Sequence, residues 1–282
     1  MTAIAEKPRR RVPFTNAVSH TVIITWRNVM RVVRLPQLLV FSTIQPVMFL
    51  LLFNYVFGGA ISIGGPGEVI PGGDNYINWL IPGIIVQSTI FGATATSLGL
   101  TEDLQAGVID RFRSLPMARS AVLTGRTLAD LVRNSFVTTL MLVVGFLMGW
   151  RFEQGFWNMI LGVALALLFG FSFSWLMALV GLAAKTPEAA QSAGFLPIFP
   201  LVFASSVFVP TQSMPEWLQV FAENQPISVI ANTVRSLMVP EEALPFLGFD
   251  RGSLILQSLA WIVVIIAVFA PLAVRQYRKS VG

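Results

Sequence analysis

The residue types that carry most enzyme chemistry are scarce in this 282-residue chain. It has no cysteine and one histidine, His20, which removes thiol nucleophiles, thiolate metal sites and multi-histidine clusters. A loop that cradles nucleotide phosphates needs Gly-Lys followed by Ser or Thr. The three lysines follow Glu6, Ala184 and Arg278, so no such loop can form. Three polar groupings remain. Gln87, Thr94 and Ser97 recur at steps of seven and three and share a helical face. Arg126, Asp130 and Arg133, at steps of four and three, can pair along another face. Glu102, Asp103, Gly107, Asp110, Arg111 and Arg113 decorate a segment, 102–115, whose Leu104, Val108, Phe112 and Leu115 form one apolar side. Pro116 closes it, because the residue before proline disfavours the helical conformation. These are residues that line, pair or dock.

The elements that position them must lie in a membrane. The chain is 55% hydrophobic and 12% charged, about half the charge of an average soluble domain. It is too apolar for disorder. Charge-free runs cover 35–67, 75–101, 134–150, 154–184, 189–215 and 252–274. Spanning a hydrocarbon core of about 30 Å takes about 20 apolar residues. Membrane β-strands would be shorter and alternate in polarity. The reading is all-α, with six spans near 36–58, 76–100, 123–150, 156–184, 189–209 and 253–274. The third starts before its charge-free run, with Arg126, Asp130 and Arg133 at headgroup level. Gln45-Pro46 and Asn54 interrupt the first span, Pro197 and Pro200 bend the fifth, and Gly145 and Gly149 form a spaced small-residue pair in the third.

Orientation follows from the basic residues, which stay cytoplasmic. Of 19 Lys and Arg, 16 fall on one side of this layout, leaving Arg151, Arg235 and Arg251 opposite. Both termini are therefore expected in the cytoplasm, with tails at 1–13 and 275–282 around a membrane domain at 35–274. The basic balance reports topology, and no nucleic-acid partner is expected. The first apolar run starts only at Leu35, so no cleaved leader is expected.

Outside the spans, Phe14, Val18, Val22, Trp26, Val29 and Val33 recur at steps of three and four, with His20, Arg27, Arg31 and Arg34 on another face. The stretch 14–34 reads as a basic amphipathic helix lying in the headgroup plane of the bilayer. The first outer loop is dense in Gly and Pro, as loops are. The outer region 211–240 predicts two short helices. Ser213 through Glu216 reads as a capping box opening the first, and Ile227, Ile230, Val234 and Leu237 mark the second. Apolar faces on such short helices predict that they dip back into the membrane. The charged segment after the second span is the protruding element of the inner face, and so the natural place for a partner to dock.

The segment from Gly107 through Asp110, Arg111, Arg113, Pro116 and Arg119, followed by Gly125-Arg126, resembles the membrane subunit of ABC-2 type exporters, in the daunorubicin-resistance branch. So do Val207 to Pro210, Met214 to Leu218, Asn224-Gln-Pro226 and Arg235-Ser-Leu237. The likeness covers nearly everything after residue 14. Pro240 departs from it, standing where a glycine is expected. The resemblance implies a permease without its own ATPase, working as two membrane subunits (a second copy or a paralogue) with two cytoplasmic ATPases that hold the ATP and magnesium. It implies that Glu102–Arg113 is the coupling helix that docks on the ATPase. It also implies that the second and fifth spans border the cargo path, which places Gln87, Thr94, Ser97, Pro197 and Pro200 beside it. Amphipathic drugs, antibiotics or lipids moved outward are the implied cargo.

Other classes fit less well. An ion-coupled transporter keeps ionisable groups within its spans and usually shows inverted repeats; neither is evident. A channel lacks ring-forming charges. An intramembrane enzyme lacks a nucleophile–base pair or metal ligands, so no cofactor is expected in this chain. An exporter of polysaccharide or glycolipid is the closest alternative; Phe outnumbers Tyr by 22 to 3, which favours apolar cargo.

Overall fold

Lipid offers no partner to a backbone N–H or C=O, so long charge-free runs satisfy their own groups as helices. The computed structural model describes residues 14–58, 76–108, 119–245, 247–248 and 250–280. Its elements are α1 (Phe14–Arg34), α2 (Pro36–Leu52), α3 (Tyr76–Gln105), α4 (Arg119–Leu147), α5 (Phe156–Ala183), α6 (Pro187–Phe203), α7 (Glu216–Asn224), α8 (Pro226–Ser236) and α9 (Arg251–Ser280). No strand occurs among the described residues. Among the described residues, five helices are long and apolar enough to cross a membrane: Leu39–Phe57, Tyr76–Gln105, Ser120–Leu147, Phe156–Ala183 and Arg251–Lys279. The first of these is α2 continued through a π-helical turn, Phe53–Phe57.

The stretch 189–209 behaves differently. Helix α6 has 17 residues and stops at Phe203, a length of about 25 Å. Serines take over there: the Ser205 hydroxyl donates to Val202 O at 2.5 Å, and Ser206 N–H donates to Ser228 Oγ at 2.9 Å. At the other end Thr186 caps α6 by accepting from Ala189 N–H, with Pro187 in the first turn. Helix α9 runs on to Ser280, so 275–280 is helical and continuous with it. The outer region forms two short helices, but Pro215 precedes α7 without a side-chain cap. Ser213 instead donates to Pro210 O at 2.8 Å, in a separate 3-10 turn. The expected capping box is absent because proline already sets the backbone entering the helix.

Helix α3 is the centre of the bundle. Of its apolar window 72% is buried, against 11% for α2 and 17% for the last span. Small residues admit the neighbours: Gly170 of α5 packs on Thr89, and Gly181 of α5 packs on the backbone of Ser97. On the α4 side, Gly92 accommodates Asn134 and Gly99 accommodates Arg126. In α4 itself, Gly145 meets Ile81, whereas Gly149 has φ +97° and ends the helix, so the two glycines do separate jobs.

Helix α1 buries Ile24 and Asn28 against the bundle, with Ile24 packed on Gly125. Its apolar stripe of Val18, Val22, Trp26 and Val33 stays exposed. An outward apolar stripe on a helix already packed by another face suits contact with lipid.

Candidate functional site

A cavity of about 340 Å³ opens between α1, α2, α3, α4 and the start of α6. The C-terminal half of α3 forms its spine, so its lining follows that helix's periodicity. Gln87 and Thr94 line it; Ser97 does not, nor do Pro197 and Pro200. Three residues on a 3.6-residue helix turn through about 300°, and that offset carries Ser97 from the cavity towards α6. Its hydroxyl donates to Thr94 O at 3.1 Å and Ala190 O at 3.3 Å. Thr94 donates to Phe91 O at 2.6 Å within its own helix. The Gln87 amide is 2% exposed, and neither its nitrogen nor its oxygen has a partner among the described residues. Pro197 and Pro200 lie on the exposed side of α6.

The charged stripe of α4 forms one wall. Arg133 pairs with Asp130 at 3.3 Å, and both side chains are buried. Asp130 also accepts from the Thr96 hydroxyl, and Arg133 donates to Gly92 O. Arg126 makes no ion pair among the described residues; its guanidinium donates to Ala95 O at 3.0 Å and lies against Gly99. These contacts fall 6–13 residues before the end of α3, about 9–20 Å along its axis. The stripe is thus packed against α3 within the bundle. Gly99 makes room for the Arg126 guanidinium against bare backbone, while Gly92 makes room for Asn134.

Near the cavity mouth, α1 meets the end of α3. Arg31 pairs with Glu102 at 2.7 Å and approaches Asp103 at 4.0 Å, and Arg27 reaches Asp103 at 3.4 Å. Burial pushes the Arg27 guanidinium below its usual pKa, and Asp103 opposes that shift. Glu102 and Asp103 belong to the last turn of α3, not to a separate helix, since α3 runs unbroken to Gln105. The break comes at Gly107, whose φ of +65° is left-handed and ends helices at little cost when no β-carbon is present. Asp110, Arg111 and Arg113 lie outside the described residues, as do the tail 1–13 and the Gly/Pro-rich loop 59–75.

Two features escaped the sequence reading. Arg27 and Arg31 sit four apart on α1, as the Glu102-Asp103 pair could have suggested from charge complementarity. Arg235, read as an outer positive charge and as part of the family-like Arg235-Ser-Leu237, is fully buried. It donates to Trp79 O at 2.9 Å, Ser206 O at 2.5 Å, Val207 O at 2.9 Å, Ser206 Oγ at 3.1 Å and Asn232 Oδ1 at 2.7 Å, with its guanidinium carbon 3.9 Å from the Trp79 ring centre. It therefore ties α8, the turn after α6 and the first turns of α3 into one outer cluster. Three of its five acceptors are backbone oxygens, which no pattern of side-chain types announces.

The family model described as ABC-2 type transporter matches residues 19–239. Among curated proteins, the chain is 34% identical over 275 residues to a daunorubicin resistance ABC transporter permease of Streptomyces coeruleorubidus, spanning 98% of this chain and 90% of that protein. It is 25% identical over 265 residues to a probable doxorubicin resistance ABC transporter permease of Mycobacterium tuberculosis, spanning 93% and 90%. A second doxorubicin resistance permease of that organism is 28% identical over 194 residues, 68% of this chain and 66% of that protein.

Proposed function

This chain belongs to the ABC-2 type transporter family, and we infer that it is the permease subunit of an ATP-driven exporter that moves an amphipathic drug, antibiotic or lipid outward across the cell membrane. The observation that carries this is the near full-length likeness to a drug-resistance permease. The sequence supports the division of labour, since it has no Gly-Lys pair with which to bind nucleotide phosphates. ATP hydrolysis falls to a partner ATPase, which also holds the magnesium.

The finer reading is a six-span layout with both termini cytoplasmic, α6 with its following turn serving as the fifth span, and α7 and α8 as re-entrant outer helices. Two permease subunits and two ATPases assemble, and Glu102–Arg113 with Gly107 couples them. The cavity beside α3 supports a cargo path along Gln87 and Thr94, with α6 and its prolines at the subunit boundary.

The test is reconstitution in lipid vesicles with and without the partner ATPase. The chain alone hydrolyses no ATP; with its partner, hydrolysis and outward movement of amphiphile appear together. Asp110→Lys and Arg113→Glu leave the permease folded and uncouple it, because a reversed charge at an interface sets like charges together. Hydrolysis by the homogeneous chain alone, or normal coupling in both variants, would refute this assignment.

A further inference from the structure

The cavity beside α3 has hydrogen-bonding groups unused at both ends. At the deep end is the buried Gln87 amide, with donor and acceptor both unpartnered among the described residues. Towards the mouth Asn28 Nδ2, and partway along the wall Arg133 Nε, are likewise buried without partners. Buried polar atoms of this kind are rare, and each calls for a partner. Three residues carrying such atoms line one cavity. The charges there do not balance. Arg31 is matched by Glu102 and Arg133 by Asp130, while among the described residues Arg126 has a carbonyl oxygen and no carboxylate. Between the two polar ends, Phe49, Phe91 and Phe195 supply an apolar strip of wall beside Thr94 and the Asp130–Arg133 pair.

We propose that this cavity is a two-point cargo site for an anionic amphiphile. A carboxylate or phosphate head lies against Arg126, with Asn28 and Arg133 as further donors; the apolar body follows the three phenylalanines; a second hydrogen-bonding group meets Gln87. This deepens the permease reading and rests on it. Gln87 and Gly99, on which Arg126 packs, are 12 residues apart on α3, so the two polar points lie about 18 Å apart along the helix. A cationic amphiphile would bring like charge to Arg126. A membrane phospholipid would satisfy the mouth but leave an acyl chain against the Gln87 amide, with both its polar atoms still unpaired. Cargo polar at both ends satisfies both.

The probe is dansylaminoundecanoic acid, which has a carboxylate at one end and a sulfonamide at the other. Its cationic twin, dansylaminoundecylamine, shares the chromophore and chain. Both are titrated by dansyl emission against the full-length chain in phosphatidylcholine nanodiscs. The acid is expected to bind more tightly than the amine by about tenfold or more, as a charge-assisted contact shielded from water requires. Arg126→Gln abolishes that preference and Arg126→Lys keeps most of it. Gln87→Leu, an exchange at a cavity wall that preserves the fold, weakens the acid about fivefold and spares pyrene-labelled undecanoic acid, which has no second polar group. Equal binding of acid and amine, an unchanged acid affinity in Gln87→Leu, or full displacement of the acid by phosphatidylglycerol would each overturn the proposal, the last by making this a lipid site. Assembly with the partner ATPase is scored on the same preparation without any probe. Failure there overturns the permease reading, whereas equal binding of acid and amine with assembly intact overturns only this site.

Discussion

The Arg31 guanidinium meets the Glu102 carboxylate at 2.7 Å, so α1 holds the last turn of α3 where the cavity opens and the segment towards Asp110 departs. Both side chains are partly exposed, at 45% and 38%, so the pair contributes only about 0.2–1 kcal/mol to stability. Its importance is positional. We expect Arg31→Glu and Glu102→Arg each to lower ATP-driven transport several-fold while shifting the unfolding temperature by less than about 4 °C. The double variant, with the charges exchanged, recovers most of the transport, since Arg27 still serves Asp103. Losses that simply add in the double variant would show that the two residues act independently.

How much of this could be read from sequence depends on the range of the interaction. Helix α1 ends at Arg34, where the stripe of Phe14 to Val33 stops, because amphipathic periodicity is local. The long spans follow from missing charge, also local. The end of α6 at Phe203 was not legible, because it depends on Ser206 finding Ser228, 22 residues away. The site was half legible. Polar spacing drew attention to Gln87 and Thr94, and it grouped Ser97 with them although Ser97 faces Ala190. A 60° difference around a helix lies below what spacing alone resolves. The role of Arg235 was not legible, since three of its five acceptors are backbone carbonyls, which leave no signature in side-chain types, and Trp79 and Ser206 are distant in sequence.

Two glycines, one in α3 and one in its following turn, should both lose stability on replacement by alanine, but for different reasons and to different degrees. A β-carbon at Gly99 would collide with the Arg126 guanidinium, whereas at Gly107 it meets nothing within 4 Å among the described residues. Gly107→Ala therefore costs only the left-handed backbone strain, about 1 kcal/mol. Gly99→Ala must expel Arg126 from its seat and costs about 1–3 kcal/mol. Thermal unfolding of the purified variants should rank them in that order. Adding Arg126→Ala to Gly99→Ala should return part of the loss, because the collision disappears with the guanidinium. Equal unfolding temperatures for the two glycine variants would rule out close packing at Gly99.

Arg235 makes a sharper prediction about the outer cluster. Its five donor contacts satisfy Trp79, Ser206, Val207 and Asn232 at once. Replacing it by methionine removes a buried charge but leaves those acceptors in an apolar setting, at a cost of about 3–5 kcal/mol. Lysine keeps the charge without the planar fork and cannot reach all of them. Both variants should lower the unfolding temperature by at least about 6 °C, with lysine the milder. A lysine variant as stable as the native chain would mean that charge alone, without the fork, holds the cluster.

The last prediction separates the two hydroxyl residues that sequence spacing placed together. Thr94 lines the cavity, while Ser97 is fully buried against α6 and beneath Gly181. The native chain contains no cysteine, so a single introduced thiol reports on its own surroundings. Thr94→Cys should react with a membrane-permeant maleimide, and dansylaminoundecanoic acid should slow that reaction about tenfold by occupying the same space. Ser97→Cys should stay unreactive with or without the acid, because α5 and α6 cover it. Val143→Cys, on the exposed face of α4, controls for reaction from lipid and should ignore the acid. If Ser97→Cys labelled as fast as Thr94→Cys, α6 would have to part from α3 in the resting protein. If Thr94→Cys labelled at the control's rate and ignored the acid, the cavity wall would not be a cargo surface. The order of reactivity follows from the way Ser97 spends its hydroxyl on Thr94 O and Ala190 O, contacts that hold α6 over it.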